Sequence, residues 1–438
     1  MINITDKHSC CGCEACIQTC MKHCISFQED AEGFRYPKVD ENYCVECGAC
    51  EKACPMLTPV ESHRPKQQFA AINPDYAIRK QSSSGGIFTM LAEGVIRKGG
   101  VIFGVRFDKS WQAVFDYTDT IEGLGPFRGS KYLQARVGNT FCEVKDFLNQ
   151  GREVMFTGTP CQVAALRHFL HHEYDNLLLV DFICHGVPSP KVWRIYLNEV
   201  TQNAVKAIND IQLRNKKQGW KRFNFYISYD SEGKSYNLSS WHQENHFMRI
   251  FLNDVILRPS CYDCKAKGGR SGSDLTIADF WGIGELNPDM DDDRGTSLVL
   301  VHTEKGEAHF SALKLNSWKT QYDDVLRLNP AVERSAKEHP KRSYFFTNLD
   351  STDSIISLID YTLRIPLLLR IKRAPKCIIR KVYRTIFVPS GGGNMRQISV
   401  NQMVIDGVVP LAQNPTVESF TFRSKRNGWK KYRMEIKL

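Results

Sequence analysis

The sequence predicts a multidomain protein of mixed α+β and α/β class, in which a small cysteine-rich domain precedes the larger parts. Three observations support this prediction. Cysteines at one repeated spacing occupy the first sixty residues, strand and helix patterns alternate between residues 87 and 183, and a basic, apolar segment lies at residues 354–388. The chain has 438 residues, of which 42% are hydrophobic, so we expect roughly two to four compact units.

Two groups of cysteines share the spacing Cys-x2-Cys-x2-Cys-x3-Cys. The first group is Cys10, Cys13, Cys16 and Cys20, and the second is Cys44, Cys47, Cys50 and Cys54. This is the spacing of bacterial ferredoxins that bind two 4Fe-4S clusters. Zinc is the alternative metal for Cys-x2-Cys pairs, but two four-cysteine groups of one spacing favour iron–sulfur clusters. We therefore predict a ferredoxin-like two-cluster domain at residues 1–60.

The ligands of the two clusters follow from the geometry of a cube. Three thiolates in one tight loop bind three iron corners, and the fourth thiolate points away and reaches the other cube. We assign Cys10, Cys13, Cys16 and Cys54 to the first cluster, and Cys44, Cys47, Cys50 and Cys20 to the second. Cys11 and Cys24 are left without a role.

The next part of the chain has the pattern of an α/β unit. A Ser-Gly loop at residues 82–86 precedes a helical pattern at residues 87–96, and a short strand follows at residues 100–105. Two more apolar strands lie at residues 154–156 and 177–183, and they run into loops that contain Cys161 and Cys184. A helix lies between them at residues 163–170. Loops at the carboxyl ends of such strands commonly bind ligands.

A further Cys-x2-Cys pair indicates a third metal site. Cys261 and Cys264 provide two ligands, and Cys161 and Cys184 are the two available partners at loop positions. We therefore predict a third 4Fe-4S cluster on these four cysteines. Two other interpretations are open: a redox disulfide between Cys261 and Cys264, or no metal at all.

Several motifs resemble the coenzyme F420 hydrogenase/dehydrogenase beta-subunit family, and they occur in that family's order. They are the two ferredoxin groups, SSGG at 83–86, RGSKY at 128–132, GTPCQ at 158–162, CHGVPSP at 184–190, SCYDC at 260–264 and DFWG at 279–282. The resemblance covers roughly residues 8–345. It implies an α/β flavin-binding domain that holds FAD beside an iron–sulfur cluster.

The resemblance also implies which residues bind FAD. They are Ser83, Ser84, Gly85, Gly86, Arg128, Ser130, Lys131, Gly158 and Thr159. Hydroxyl and backbone N–H groups of the first loop would face the cofactor, and Arg128 and Lys131 would neutralise its pyrophosphate. A solvated basic loop is the alternative for those two cations. His185 either donates a proton during catalysis or hydrogen-bonds a cluster sulfur.

We divide the chain into five parts: 1–60 the ferredoxin domain, 69–200 the flavin-binding α/β domain, 201–345 an α+β domain with Cys-x2-Cys, 346–395 a basic helical tail, and 396–438 a partial repeat of the 205–230 region. The repeat predicts a strand, a basic Gly turn and a strand. The tail either lies on an anionic membrane or an acidic partner, or packs on the main body with its basic face in solvent.

These observations predict an iron–sulfur flavoprotein oxidoreductase that connects a one-electron carrier such as ferredoxin with an organic substrate. The alternative is an electron-transfer subunit that has no substrate of its own and serves a partner enzyme. The formal charge of +10 suits an acidic partner, and no motif indicates nucleic-acid binding. With no secretory signal and no long apolar run, we expect a cytoplasmic protein, with the tail as its link to the inner membrane face.

Overall fold

A computed structural model describes residues 1–364, 417–424 and 430–437. Met1–Leu363 forms one compact unit and Arg364–Leu438 forms another. The strands are β1 (Ile25–Glu29), β2 (Arg35–Val39), β3 (Gln67–Ile72), β4 (Val101–Phe107), β5 (Ala113–Thr118), β6 (Val154–Gly158), β7 (Leu177–Phe182), β8 (Ile208–Asn215), β9 (Asn224–Ser231), β10 (Lys234–Trp241), β11 (Leu275–Asp279), β12 (Ser297–Val301), β13 (Asn316–Lys319), β14 (Val417–Ser424) and β15 (Lys430–Lys437).

The helices are mostly short and connect these strands. They are α1 (Ala15–Gln18), α2 (Ala49–Lys52), α3 (Tyr76–Gln81), α4 (Ile87–Ile96), α5 (Thr140–Asn149), α6 (Pro160–Leu170), α7 (Pro190–Val200), α8 (His246–Leu252), α9 (Ile283–Leu286), α10 (Glu304–Ser311), α11 (Tyr322–Leu328), α12 (Arg342–Asn348) and α13 (Ile355–Leu363). No helix among the described residues is long and apolar enough to cross a lipid bilayer.

The N-terminal part folds around its two cysteine loops. Each loop ends in a single helical turn, α1 or α2, which begins after a residue in the left-handed region: Glu14 at φ 60° and Gly48 at φ 73°. β1 and β2 form an antiparallel hairpin between the two loops. The repeated sequence spacing therefore gives a repeated local structure, as expected for a two-cluster ferredoxin domain.

An eight-stranded sheet forms the centre of the first unit, in the order β13-β3-β12-β11-β7-β6-β4-β5. The β4, β6, β7 and β11 strands are parallel, and antiparallel strands extend the sheet at both ends. Val154, Met155 and Phe156 of β6 are fully buried. Such continuous apolar strands are typical of a sheet that is covered on both faces.

The predicted α/β elements are confirmed within a few residues. The predicted helix at 87–96 is α4, and the predicted strands at 100–105, 154–156 and 177–183 are β4, β6 and β7. Helix α6 begins three residues earlier than predicted, because Thr159 and Gln162 form a capping box and Pro160 suits the first turn. The mixed α/β multidomain class is therefore confirmed.

Strands from both of the predicted central domains lie in the same sheet. β3 to β7 come from residues 69–200 or just before, whereas β11, β12 and β13 come from residues 201–345. β8, β9 and β10 form a separate three-stranded antiparallel sheet. The two central domains therefore share their core, and our division of the chain at residue 200 remains a prediction.

The C-terminal unit contains one hairpin whose backbone is described. β14 and β15 pair antiparallel from Val417↔Lys437 to Ser424↔Lys430. The two strands agree with the strands predicted for the partial repeat, and the predicted basic Gly turn between them lies outside the described residues. Most of the predicted basic tail, including Arg370, Lys372, Arg373 and Lys376, lies outside the described residues.

Candidate functional site

The thiols assigned to the first cluster surround a common cavity. Cys10, Cys13, Cys16 and Cys54 are each 6–8% exposed, and they line one cavity. Cys11, Glu14 and five apolar residues complete its wall, the apolar ones being Ile2, Ile4, Phe27, Pro37 and Met56. Four converging thiols in an apolar chamber fit a 4Fe-4S cube with one thiolate on each iron.

The thiols assigned to the second cluster lie nearer the surface. Cys50 is buried, Cys20 and Cys44 are half-buried, and Cys47 is exposed. The neighbouring apolar side chains of Met21, Tyr43 and Val45 are 92%, 68% and 60% exposed. We call these three residues and Cys47 the outer rim. The first cluster site is therefore internal, and the second is accessible to a docking protein.

The two leftover cysteines each lie beside a cluster site. The sulfurs of Cys24 and Cys20 are 3.4 Å apart, and Cys24 also contacts Cys44. The Cys11 thiol lies between Cys13 of the first cluster site and Cys161, with a hydrogen-bond contact to each. Sequence spacing gave no role for Cys11, because its neighbour Cys161 is 150 residues away in the chain.

Cys161, Cys184, Cys261 and Cys264 lie together, as predicted, and we call them the third cysteine set. Burial raises the pKa of the Cys184 thiol, and repulsion from the other three thiols of the set adds to this rise. Burial raises the pKa of Cys261 to about 12, with repulsion from Cys161 and Cys264 contributing. Such a buried set of thiols suits a soft, positively charged metal centre, which would stabilise the thiolate forms.

Local contacts hold the third cysteine set in place. The Thr159 hydroxyl lies 3.1 Å from the Cys161 sulfur, and the Val187 N–H donates to the Cys261 sulfur at 3.4 Å. Lys267 donates to the carbonyl oxygens of Cys184 and Ala331. All fifteen cysteines within the described residues are free, including Cys261 and Cys264, so this structure contains no disulfide between those two.

A single metal ion would need tighter convergence than a cluster does. Within the described residues, no three His, Cys, Asp or Glu side chains form a ligand group for one ion. A 4Fe-4S cube spreads its four thiolates over four iron corners.

The loops expected to bind FAD meet at one place. The hydroxyl oxygens of Ser83 and Ser130 are 2.8 Å apart, which joins the SSGG and RGSKY motifs. One of these two hydroxyls donates to the other, so one hydroxyl hydrogen is left for a ligand. Ser84 donates to the Thr296 carbonyl at 2.8 Å, and the Gly85 N–H donates to Ser297 at 3.0 Å. The hydroxyl pair of Ser83 and Ser130 can therefore give one hydrogen bond to a ligand at this corner.

The two predicted phosphate-binding cations have different surroundings. Arg128 donates to Gln81 at 2.8 Å and to the Thr89 hydroxyl at 3.2 Å, and it is half-buried. Lys131 donates to the carbonyl oxygens of Pro126 and Arg128, and burial lowers the pKa of its ammonium group to about 7. Lys131 therefore stabilises its own loop, whereas Arg128 lies where it can reach a ligand.

Arg214, at the end of β8, connects the DFWG and RGSKY motifs. One of its terminal nitrogens forms an ion pair with Asp279 of the DFWG motif and lies 3.5 Å from the Tyr132 hydroxyl of the RGSKY motif. Its Nε and second terminal nitrogen are buried and have no hydrogen-bond partner. An unpaired buried guanidinium N–H is costly, so an anion that accepts from it would be strongly favoured here.

Other groups add positive charge and a flat ring beside Arg214. Lys216 donates to the Ser84 carbonyl at 3.0 Å, and burial lowers its pKa to about 7, with the charges of Arg214 and Arg79 contributing. Trp281 is 37% exposed and stacks on Trp220, with ring centroids 4.6 Å apart. Cations and an exposed aromatic ring together suit a flat, anionic cofactor.

Sequence reasoning named Arg214 and Lys216 only as part of the repeat and gave them no role. The repeat was the signal that could have found them. It keeps Arg, Lys, Gly, Trp and Lys in register with the segment at residues 420–432. Arg214 lies over the Trp281 ring at 5.3 Å, a contact between residues 67 positions apart that no local pattern predicts.

His185 is paired with a carboxylate. Its Nε2 atom lies 2.6 Å from the Asp254 carboxylate, and its ring packs edge-on against Phe251. Asp254 therefore orients the imidazole ring. This contact fits the proton-donor interpretation, and the hydrogen bond to a cluster sulfur stays a prediction.

Comparison with known proteins identifies two regions of the chain. Residues 151–321 match the family described as the C terminus of the beta subunit of coenzyme F420 hydrogenase/dehydrogenase, and residues 9–57 match the 4Fe-4S dicluster domain. No curated protein matches this chain at a significant level. A chain of the F420-reducing [NiFe] hydrogenase complex from Methanosarcina barkeri is 15% identical, with a TM-score of 0.41, over 71% of this chain and 92% of that one.

The dicluster match covers all eight cysteines of the two N-terminal groups, and the family match begins just before Cys161 and ends beyond the DFWG motif. Both matches contain motifs on which the resemblance was based, whereas the SSGG and RGSKY motifs lie outside them. The chain therefore carries the C-terminal domain of the coenzyme F420 hydrogenase/dehydrogenase beta subunit at residues 151–321 and a 4Fe-4S dicluster domain at residues 9–57, and it is an iron–sulfur electron-transfer oxidoreductase related to that beta subunit.

Proposed function

We propose that this chain is an iron–sulfur flavoprotein that transfers electrons between a one-electron carrier such as ferredoxin and an organic substrate. It would hold two 4Fe-4S clusters in the N-terminal domain, a third on Cys161, Cys184, Cys261 and Cys264, and FAD near Arg214. The alternative is an electron-transfer subunit that uses the same groups to serve a partner enzyme.

The position of Cys11 carries this proposal. Its thiol contacts both Cys13 and Cys161, and its neighbour in the chain, Cys10, belongs to the first cluster site. One peptide bond therefore connects the first cluster site with the edge of the third cysteine set. Such a short covalent link favours electron transfer from the first cluster site to the third cysteine set over direct transfer from the exposed second cluster site to that set.

The exposure of the cysteines supports an order along this route. Cys47 of the outer rim is exposed, whereas the four first-cluster thiols are at most 8% exposed. Exposed apolar side chains around a redox centre are typical of transient docking faces. The external carrier would therefore meet the second cluster site, and the first would pass electrons inward.

The flavin part of the proposal relies on the residues around Arg214. A bound flavin would exchange both single electrons and electron pairs, which links clusters to organic substrates. Arg214 and Arg128 would bind the pyrophosphate of FAD. The hydroxyl pair of Ser83 and Ser130 would donate to the cofactor, and Gly158 and Thr159 would pack against it. His185 would hold a proton at Nε2, shared with Asp254 at 2.6 Å.

Iron and flavin analysis of anaerobically purified protein tests the cofactor set. We expect about twelve irons per chain, four for each cluster, and about one FAD. Cys261→Ser should reduce the iron content to about eight, because one ligand of the third cluster is lost. Cys142→Ser is the matched control, since this half-buried thiol lies outside all three sets. About eight irons in the unmodified chain would rule out the third cluster, and absence of flavin would rule out the flavoprotein.

A substrate screen separates the enzyme from the electron-transfer subunit. The flavin is first reduced by a low-potential one-electron donor in the absence of oxygen, and its absorbance is followed after small molecules are added. Reoxidation by a small molecule without added protein supports the enzyme. Reoxidation that requires a second protein supports the electron-transfer subunit.

A further inference from the structure

Arg258 is a fully buried cation at the boundary between the ferredoxin domain and the rest of the unit. Its side chain is 0% exposed. Nε donates to the Cys10 carbonyl at 2.7 Å, and one terminal nitrogen donates to Gln134 at 3.0 Å. The other donates to the Arg35 carbonyl at 3.0 Å and to the Cys10 sulfur at 3.4 Å. Arg258 therefore touches a first-cluster ligand directly, from three residues before Cys261.

No carboxylate pairs with Arg258 anywhere in the described residues. Its hydrogen-bond acceptors are carbonyl, amide and sulfur atoms, and its other close neighbours are the rings of Tyr36 at 4.3 Å and Phe34 at 5.5 Å. Three other arginines among the described residues are buried, Arg79, Arg214 and Arg342, and each of them has a carboxylate partner. A buried cation without a countercharge is strongly unfavourable.

The groups near Arg258 that can carry a negative charge are Tyr36 and three cysteines, Cys10, Cys11 and Cys261. Cys10 belongs to the first cluster site, Cys261 belongs to the third set, and Cys11 lies between the two. Cysteine thiolates that bind a metal cluster would therefore supply the negative charge that no carboxylate supplies.

We propose that Arg258 is a positioning residue that supplies the shared positive charge between the first cluster site and the third cysteine set, and that it raises the reduction potential of the first cluster. Adding an electron to a cluster makes it more negative by one charge. A cation that donates to a ligand sulfur stabilises that more negative state. The first cluster would then accept electrons from the more exposed second cluster.

This inference relies on the clusters of the N-terminal domain and only in part on the proposed function, because it needs neither the flavin nor a substrate. Its test is a redox titration of the N-terminal clusters followed by electron paramagnetic resonance. Arg258→Met should shift one of the two clusters to lower potential. At a fixed potential its ratio of reduced to oxidised form should fall at least about tenfold, which equals about 59 mV for one electron.

Two further variants make the result specific. Lys38→Gln removes one positive charge from the ferredoxin domain, but the Lys38 side chain is exposed, so solvent screens its charge and both potentials should stay nearly unchanged. Arg258→Lys keeps the charge and loses the fork of donors, so its shift should be smaller than that of Arg258→Met. If Arg258→Met does not bind its iron, Arg258→Gln carries the test, because it also removes the charge but keeps an N–H donor.

Three outcomes would overturn the proposal. The first is an unchanged pair of potentials in Arg258→Met that retains the eight irons of the N-terminal domain. The second is an equal shift in Lys38→Gln. The third, where Arg258→Met does not bind iron, is an unchanged pair of potentials in Arg258→Gln that retains the eight irons. A chain that lacks flavin or the third cluster would contradict the proposed function but would leave this titration interpretable.

Discussion

Replacing Arg214 by methionine separates its role in folding from its role in binding. The Arg214 side chain is 3% exposed and that of Asp279 is 16% exposed, and the Asp279 carboxylate also accepts from Trp220 at 2.7 Å. Breaking a buried ion pair from one side costs about 3–5 kcal/mol. Because Asp279 keeps some water and the Trp220 N–H, we expect the lower end, about 3 kcal/mol. For a unit of this size that lowers Tm by about 4 °C.

The double variant Arg214→Met/Asp279→Asn should recover most of this stability, since removing both charges together is often neutral. It should not recover flavin binding, because the two buried N–H groups that await an acceptor are still missing. Thermal unfolding followed by circular dichroism measures the first effect, and the ratio of flavin to protein absorbance measures the second. A double variant that binds flavin as the unmodified chain does would refute the anion-binding role of Arg214.

Three further predictions concern other parts of the unit. Gly12→Ala should lose the first cluster and about half of the N-terminal iron, because a Cβ there would lie 2.2 Å from Gln134. Gly138→Ala is the control and should keep its iron, because Gly138 has a similar φ of 62° but open space around the added Cβ. Burial raises the pKa of Asp181 to about 6 and lowers that of His302 to about 4. Folding therefore loses stability from the Asp181 carboxyl as the pH rises and from the His302 imidazole as it falls. In urea unfolding, the free energy of unfolding of Asp181→Asn relative to the unmodified chain should rise by roughly 1 kcal/mol from pH 5 to pH 7. That of His302→Gln should rise by roughly 2 kcal/mol from pH 7 to pH 5, and opposite slopes would contradict this. Val45→Asp on the outer rim should slow reduction by an external carrier at unchanged iron content, as stopped-flow absorbance would show, and an unchanged rate would place docking elsewhere.

The sequence predicted the parts of the site that depend on local spacing. Eight N-terminal cysteines at fixed intervals wrap two loops, and short-range turns suffice to bring each group together. The third cysteine set was also predicted, because Cys161 and Cys184 follow adjacent parallel strands and a Cys-x2-Cys pair needs two more ligands. The predicted helix at 87–96 agrees with α4 for a similar reason, since its periodicity is local.

Contacts between distant segments were beyond sequence reasoning. Arg258 reaches Cys10 across 248 positions, and Cys11 meets Cys161 through the docking of two domains. Neither position differs locally from an ordinary polar or buried residue. The phosphate-binding role of Lys131 stays a prediction, and the structure adds that its ammonium group donates to carbonyl oxygens of its own loop. Loop closure of this kind depends on backbone conformation, which the residue type alone does not determine.

The different depths of the two N-terminal cluster sites have a practical consequence for handling this protein. Dioxygen and chelators attack the cluster that they can reach, and Cys47 exposes the second one at the outer rim while an apolar chamber encloses the first. Air exposure should therefore remove iron in two stages, a fast loss from the rim and a slow loss from the interior. Protein purified in air would keep its brown colour in part while it has already lost the centre through which an external carrier delivers electrons.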